Sequence, residues 1–211
     1  MQVTAIEHQK YRRDVYSVYI DGKEAFTLHG RVLADSGLEK DSLISQSRID
    51  ELVQLDDFFS SLEYAELLLS YRKRSKKELF DKLTAKGYSP GICAKALNVL
   101  EENGSVDDRE FALWWIKSRR GNRPKGDNAI YSELMRKGVS AELINESVSI
   151  INSEEPPDEV ELAWKACSSM LESYRNLPPT AARRRLTALL KRRGFSWDVV
   201  RKIEDRFFSI F

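Results

Sequence analysis

Residues 74–90 read RSKKELFDKLTAKGYSP, and the run Lys86-Gly87-Tyr88-Ser89 near its end decides the fold. The same order of a basic residue, Gly, an apolar residue and Ser returns as Lys137-Gly138-Val139-Ser140 and as Arg193-Gly194-Phe195-Ser196. A helix ending at Lys86 needs a left-handed residue after it, and glycine adopts that conformation without Cβ strain. Tyr88 supplies the apolar residue that follows such a cap. Ser89 then caps the next helix, with Pro90 at its first position. Ser140 and Ser196 are placed to cap in the same way. Ser75 and Glu78 have the spacing of a capping box at the start of the preceding helix. The element therefore reads as a helix-turn-helix joint, not as a ligand site.

Superposing the three glycines exposes a repeat. Eight positions before each stand Leu79, Ile130 and Leu186; four before stand Leu83, Leu134 and Leu190. Six positions after stand Cys93, Ile144 and Val200; thirteen after stand Leu100, Ile151 and Phe207. Another amphipathic segment precedes each unit, at 58–71, 107–120 and 158–174. The spacing predicts three tandem three-helix modules, 58–106, 107–153 and 154–211, in an elongated array and a mainly α fold.

The N-terminal extension, 1–57, has a different period. Residues 15–20 and 25–28 are β-rich runs flanking Asp21-Gly22, a strong hairpin signal because both turn residues need positive φ. Val3 to Ile6 adds a third candidate strand. A lone hairpin is marginal in water, so its apolar face should dock on the helices that follow. Residues 30–57 predict two short helices, the second carrying Leu43, Ile44, Ile49, Leu52, Val53 and Leu55.

The net charge of +1 hides an asymmetry. Residues 1–57 carry 7 basic and 11 acidic side chains, whereas 173–197 carry seven basic residues and no acid. That is a focused patch rather than the overall basicity of nonspecific duplex binders. Two cysteines, Cys93 and Cys167, sit in apolar helical patterns without a zinc or disulfide framework, which fits a reducing cytosol. No run is long and apolar enough for a signal peptide or a membrane span. The expectation is a monomeric cytoplasmic protein with no membrane contact and no cofactor.

Positive charge recurs before and along each middle helix. The first group is Arg72, Lys73, Arg74, Lys76 and Lys77; the second is Arg119, Arg120, Arg123 and Lys125; the third is Arg183, Arg184, Arg185, Lys191 and Arg192. On a helical wheel Leu186, Leu189 and Leu190 share one face, with Arg184, Lys191 and Arg192 opposite and Arg185 at the border. An acidic or phosphate-bearing partner is the functional reading; a solvated face is the bland one. Sequence-specific DNA reading is disfavoured. The third helices begin Ser89-Pro90-Gly91, Ser140-Ala141-Glu142 and Ser196-Trp197-Asp198, with no Arg, Asn or Gln to meet base edges.

Catalysis is disfavoured too. His8 and His29 have no partner at metal or triad spacing, and no phosphate-binding glycine motif occurs. Asp107-Asp108 fits a helix start better than a paired-acid site. Of Trp114 and Trp115, one should face its module core with Phe111 and Ala112 while the other points outward.

Taken in order, these residues resemble the RecX family, regulators of the recombinase RecA. The resemblance runs through Arg74-Ser75, Glu78-Leu79, Leu83, Lys86-Gly87-Tyr88, Leu97, Leu100, Gly104 and Val106-Asp107-Asp108. It continues through Phe111-Ala112, Arg119, Lys125-Gly126, Ile130, Glu133-Leu134 and Lys137-Gly138-Val139. The third module keeps Leu186, Leu190, Gly194-Phe195 and Trp197. Asp127 departs from the small residue or proline common in the family; Asp127 and Asn128 are candidate caps for the following helix. The resemblance implies a non-enzymatic protein that binds the RecA filament on single-stranded DNA, with direct DNA contact as a further option. It implies inhibition of filament extension, ATP hydrolysis, strand exchange and coprotease activity. The alternative left open is a helical module that binds nucleic acid independently of RecA.

Overall fold

The computed structural model describes residues 1–11, 14–121, 124–154 and 156–210. The chain divides into two compact units, Met1–Arg72 with Leu79–Val106, and Lys73–Glu78 with residues from Asp107 onward. Each is described by itself.

In the first unit, β1 (Val3–His8), β2 (Val15–Ile20) and β3 (Lys23–His29) form an antiparallel sheet in the order β1-β2-β3. Asp21 and Gly22 have φ of 49° and 81°, the paired positive angles that a two-residue hairpin demands. Val3, Val18, Ile20 and Leu28 from the sheet are buried with Val32 of α1 (Gly30–Ser36) and with Ile49 and Leu52 of α2 (Gln46–Tyr71). The hairpin thus docks on the helices that follow it.

Helix α2 departs from the expectation of separate segments on either side of residue 57. It is one helix of 26 residues. Neither glycine nor proline occurs between Gln46 and Tyr71, so nothing interrupts its hydrogen-bond ladder. Ser45 starts it, its Oγ accepting from the Arg48 N–H at 3.2 Å. Leu43 and Ile44 therefore precede the helix; Leu43 bridges to Gln2 and is exposed, while Ile44 is buried. The far half of α2 enters a second core. There Ala65 and Leu68 meet Leu79 and Leu83 of α3 (Lys76–Lys86) and Cys93, Leu97 and Leu100 of α4 (Pro90–Glu102).

The second unit holds α5 (Asp108–Gly121), α6 (Asp127–Arg136), α7 (Ala141–Glu154), α8 (Glu159–Arg175), α9 (Pro179–Arg192) and α10 (Trp197–Ile210), beside the first turn of α3. Phe111, Ile116, Ile130, Leu134, Ile144 and Ile151 build one core. Ala163, Cys167, Leu186, Leu190, Val200 and Phe207 build another. The residues aligned on the three glycines are thus the ones that fill the cores. The two cysteines are buried and free, and burial pushes the Cys167 thiol up to about 11.

The joints match their sequence logic. Gly87, Gly138 and Gly194 have φ of 111°, 84° and 84°. Their N–H groups donate to the carbonyls of Thr84, Met135 and Lys191 at 3.0, 3.0 and 2.9 Å. The next N–H in each case, from Tyr88, Val139 and Phe195, reaches back to Leu83, Leu134 and Leu190 at 3.3, 3.1 and 3.2 Å. That pair of bonds satisfies carbonyls that a helix end otherwise leaves open. Ser89, Ser140 and Ser196 accept from Ile92, Leu143 and Val199 at 3.4, 3.3 and 3.4 Å. Ser75 and Glu78 close the capping box, with the Glu78 N–H on Ser75 Oγ at 3.1 Å.

Candidate functional site

The first basic group is engaged within the chain. Lys73 pairs with Glu110 at 2.9 Å, and Arg72, Arg74, Lys76 and Lys77 all make further intramolecular contacts. The Lys76 N–H donates to Asp108 Oδ1 at 2.8 Å, so this acid serves a helix start, as expected, but that of α3. Asp107 caps its own helix, accepting from Arg109 and Glu110 N–H groups at 2.7 and 3.1 Å. Ser75 Oγ donates to the Lys137 carbonyl at 2.7 Å, and Lys137 Nζ meets Glu78 Oε1 at 2.5 Å. This seats the turn after α6 on the first turn of α3.

The same seating recurs one module on. The Gly126 N–H donates to the Arg193 carbonyl at 2.9 Å, placing the turn after α9 on the start of α6. Gly126, rather than Asp127 or Asn128, is the N-cap of α6. A Cβ on Gly126 would lie 2.4 Å from the Gly194 carbonyl oxygen.

The second basic group converges on Glu133, which the family resemblance includes but to which the sequence assigns no role. Glu133 accepts from Trp115 Nε1 at 3.0 Å, from Arg119 Nε at 2.9 Å and from Lys125 Nζ. Burial pushes its carboxyl up, but the hydrogen bonds from Lys125 and Arg119 outweigh this and hold its pKa below the ordinary glutamate range. Arg119 and Lys137 lie 4.1 and 4.2 Å from the Trp115 ring centroid. Trp115 is the buried indole and Trp114 the half-buried one, in line with the expectation of one inward and one outward ring. Arg120 is 10% exposed and bonds Asn152 and Asp127 at 2.8 and 2.9 Å. Arg123 lies outside the described residues.

The third group behaves differently. Arg183 pairs with the buried Glu204 at 3.3 Å, and Thr187 Oγ1 bonds the same acid. Arg184, Lys191 and Arg192 are exposed on α9 opposite the buried Leu186, Leu189 and Leu190, and Arg185 is exposed at the border of that face. Among the described residues, none of those four has a carboxylate partner. Lys191 Nζ instead sits 3.6 Å from the centroid of Trp197, which is itself 50% exposed. The structure thus separates the predicted cations into structural ones and an open set on α9.

Two arrangements escaped the sequence. One is the Glu133 cluster. The other joins His29 Nδ1 to Asp56 Oδ2 at 3.0 Å and to Ser60 Oγ at 3.2 Å. Both partners share one ring nitrogen, whereas a nucleophile relay uses both nitrogens of the imidazole. Asp56 also accepts the His29 N–H at 2.7 Å, so the carboxylate ties β3 to α2. Among the described residues no helix is long and apolar enough to cross a membrane.

Fold and surface together define a helix-turn-helix repeat protein with an uncompensated cationic face. Residues 62–100 match the model of the first three-helix domain of RecX, and 107–148 that of the second. The chain is 32% identical over 198 residues to the regulatory protein RecX of Bacillus licheniformis, covering 94% of this chain and 74% of that one. It is 30% identical over 207 residues to RecX of Clostridium perfringens, covering 97% and 95%. A crystal structure of regulatory protein RecX aligns over 97% of this chain and 98% of that one, with a TM-score of 0.65 and 25% identity. The RecX of Lactobacillus salivarius shares the fold, with a TM-score of 0.58 over 72% of this chain and 97% of that one at 20% identity. The chain belongs to the RecX family, a family of regulatory proteins.

Proposed function

We propose that this chain binds the RecA filament on single-stranded DNA and inhibits its extension, ATP hydrolysis, strand exchange and coprotease activity. It acts by binding, without chemistry of its own. The observation that carries this reading is the exposed α9 face, where Arg184, Arg185, Lys191 and Arg192 stand without carboxylate partners among the described residues. Uncompensated cations stay hydrated until an anionic surface displaces that water, and a nucleoprotein filament supplies carboxylates and phosphates in regular repeat. Tandem repeats add weak contacts into a durable one when they engage together. Membership in a regulatory family supports the same reading.

The test is a titration of the purified chain into RecA on single-stranded DNA, reading ATP hydrolysis. Substoichiometric chain should lower the rate, and no change at saturation would sink the reading. Reversing Arg184, Arg185, Lys191 and Arg192 to Glu should weaken inhibition while helical circular dichroism stays intact. Tight binding of DNA alone near physiological salt, without any effect on RecA, would favour the RecA-independent alternative.

A further inference from the structure

Trp197 occupies the position three residues after the joint glycine, where the other modules carry Pro90 and Ala141. It begins α10 and is half exposed, whereas Trp115 is buried and Trp114 and Trp164 are half-buried. Among the described residues, its indole is not one of the side chains packed on the third core, and it stands at a site where its counterparts are small. Lys191 covers one face of the ring at 3.6 Å. Half of the residue still meets solvent. Along α9, Arg184, Lys191, Arg192 and Arg185 fall within one arc at 100° per residue, and this arc adjoins the indole through Lys191. Arg201, one turn after Trp197 on α10, is also exposed. The one carboxylate beside the ring in sequence is Asp198, in the first turn of α10.

We infer that Trp197 is a stacking platform for a base of single-stranded nucleic acid whose phosphates run along the Arg184–Arg192 face of α9. The inference rests on the surface used in the proposed function and names its ligand. An acidic protein surface would satisfy the guanidinium groups and bury the indole in a pocket, but a flat ring bordered by a row of cations matches more directly a strand that carries bases and phosphates together. Every base offers a flat π face, and stacking is indifferent to sequence. A duplex hides those faces, so the site selects a single strand. Asp198 repels phosphate and keeps the backbone on the α9 side. Lys191 contributes twice, as a phosphate partner and by its cation–π contact with the ring.

The experiment uses the full chain and a fluorescein-labelled oligothymidylate, without RecA. Anisotropy gives affinity, and intrinsic tryptophan emission reports stacking in a parallel titration of unlabelled oligothymidylate. Binding should quench tryptophan emission in the native chain. Trp197→Ala should weaken binding about 10-fold, the scale of one stacked base. Trp197→Phe should keep affinity within about 3-fold, because a phenyl ring still stacks, while losing most of the quench. Circular dichroism of both variants should match the native chain, since the residue is exposed. Native affinity in Trp197→Ala would overturn the inference, as would a quench that survives in Trp197→Phe. If Trp197→Ala leaves oligothymidylate binding unchanged but abolishes RecA inhibition, the patch meets protein; the inference falls and the proposed function stands. If Trp197 governs oligothymidylate binding but the native chain leaves RecA hydrolysis untouched, the inference stands and the proposed function falls.

Discussion

Glu133 draws Trp115, Arg119 and Lys125 to one carboxylate whose side chain is 11% exposed. Half of this cluster is written locally, since Trp115 and Arg119 are four apart on one helix and share a face. The rest is not, because Glu133 reaches them only when α6 closes on α5. Glu133→Gln keeps the shape and removes the charge. At neutral pH it should cost about 1–3 kcal/mol in urea unfolding, the range for weakening a buried charged hydrogen-bond set. The pH dependence has a definite sign. The folded-state pKa lies below the unfolded value, near 4.3 for glutamate. The stabilisation is therefore complete above that unfolded value and is lost as pH falls through the folded one. The gap between native and Glu133→Gln should narrow as the solution is acidified past that window. A gap that stays constant would assign the effect to shape rather than charge.

At the scale of elements, the hairpin and the three joints were legible because each rests on a few adjacent residues: Asp21-Gly22, or a glycine followed by an apolar residue and serine. The continuity of α2 was not, because a helix runs through a change of hydrophobic pattern such as the one near residue 57 wherever no breaker stops it, and none lies between Gln46 and Tyr71. The seating of one module's turn on another's helix start was also hidden, being a contact between distant residues such as Gly126 and Arg193. This seating makes the joint glycines unequal. A Cβ on Gly87 would meet nothing within 4 Å, whereas one on Gly194 would lie 2.3 Å from the Ala129 backbone nitrogen. Gly87→Ala should therefore cost only the left-handed penalty, about 1–2 kcal/mol. Gly194→Ala should cost more and should speed hydrogen exchange at the Gly126 amide, whose acceptor is Arg193. Equal costs, with Gly126 exchange unchanged, would remove the close approach from the account of this turn.

For the whole molecule, the sequence reading located positive charge correctly as charge but had no means to say which of it is spent internally. Composition shows Arg119, Arg120, Lys125, Arg184, Arg185 and Arg192 alike. The structure divides them, the first three bound to Glu133, Asp127 and Asn152, the last three open on α9. A double dissociation follows. Arg120→Ala should lower stability by about 1–3 kcal/mol, because Asp127 and Asn152 lose a nearly buried partner, and should leave affinity for DNA-bound RecA near native. Joint replacement of Arg184, Arg185 and Arg192 by Ala should move stability by no more than about 0.5 kcal/mol, as for exposed sites without partners. The same triple variant should bind more weakly. If those cations meet phosphates of a single strand, removing each one should flatten the slope of log affinity against log salt by about 0.7. Urea unfolding and a salt series of binding titrations, run on both variants, give the four readings. Weakened binding in Arg120→Ala at intact stability, or an unchanged salt slope in the triple variant, would move the binding surface away from α9.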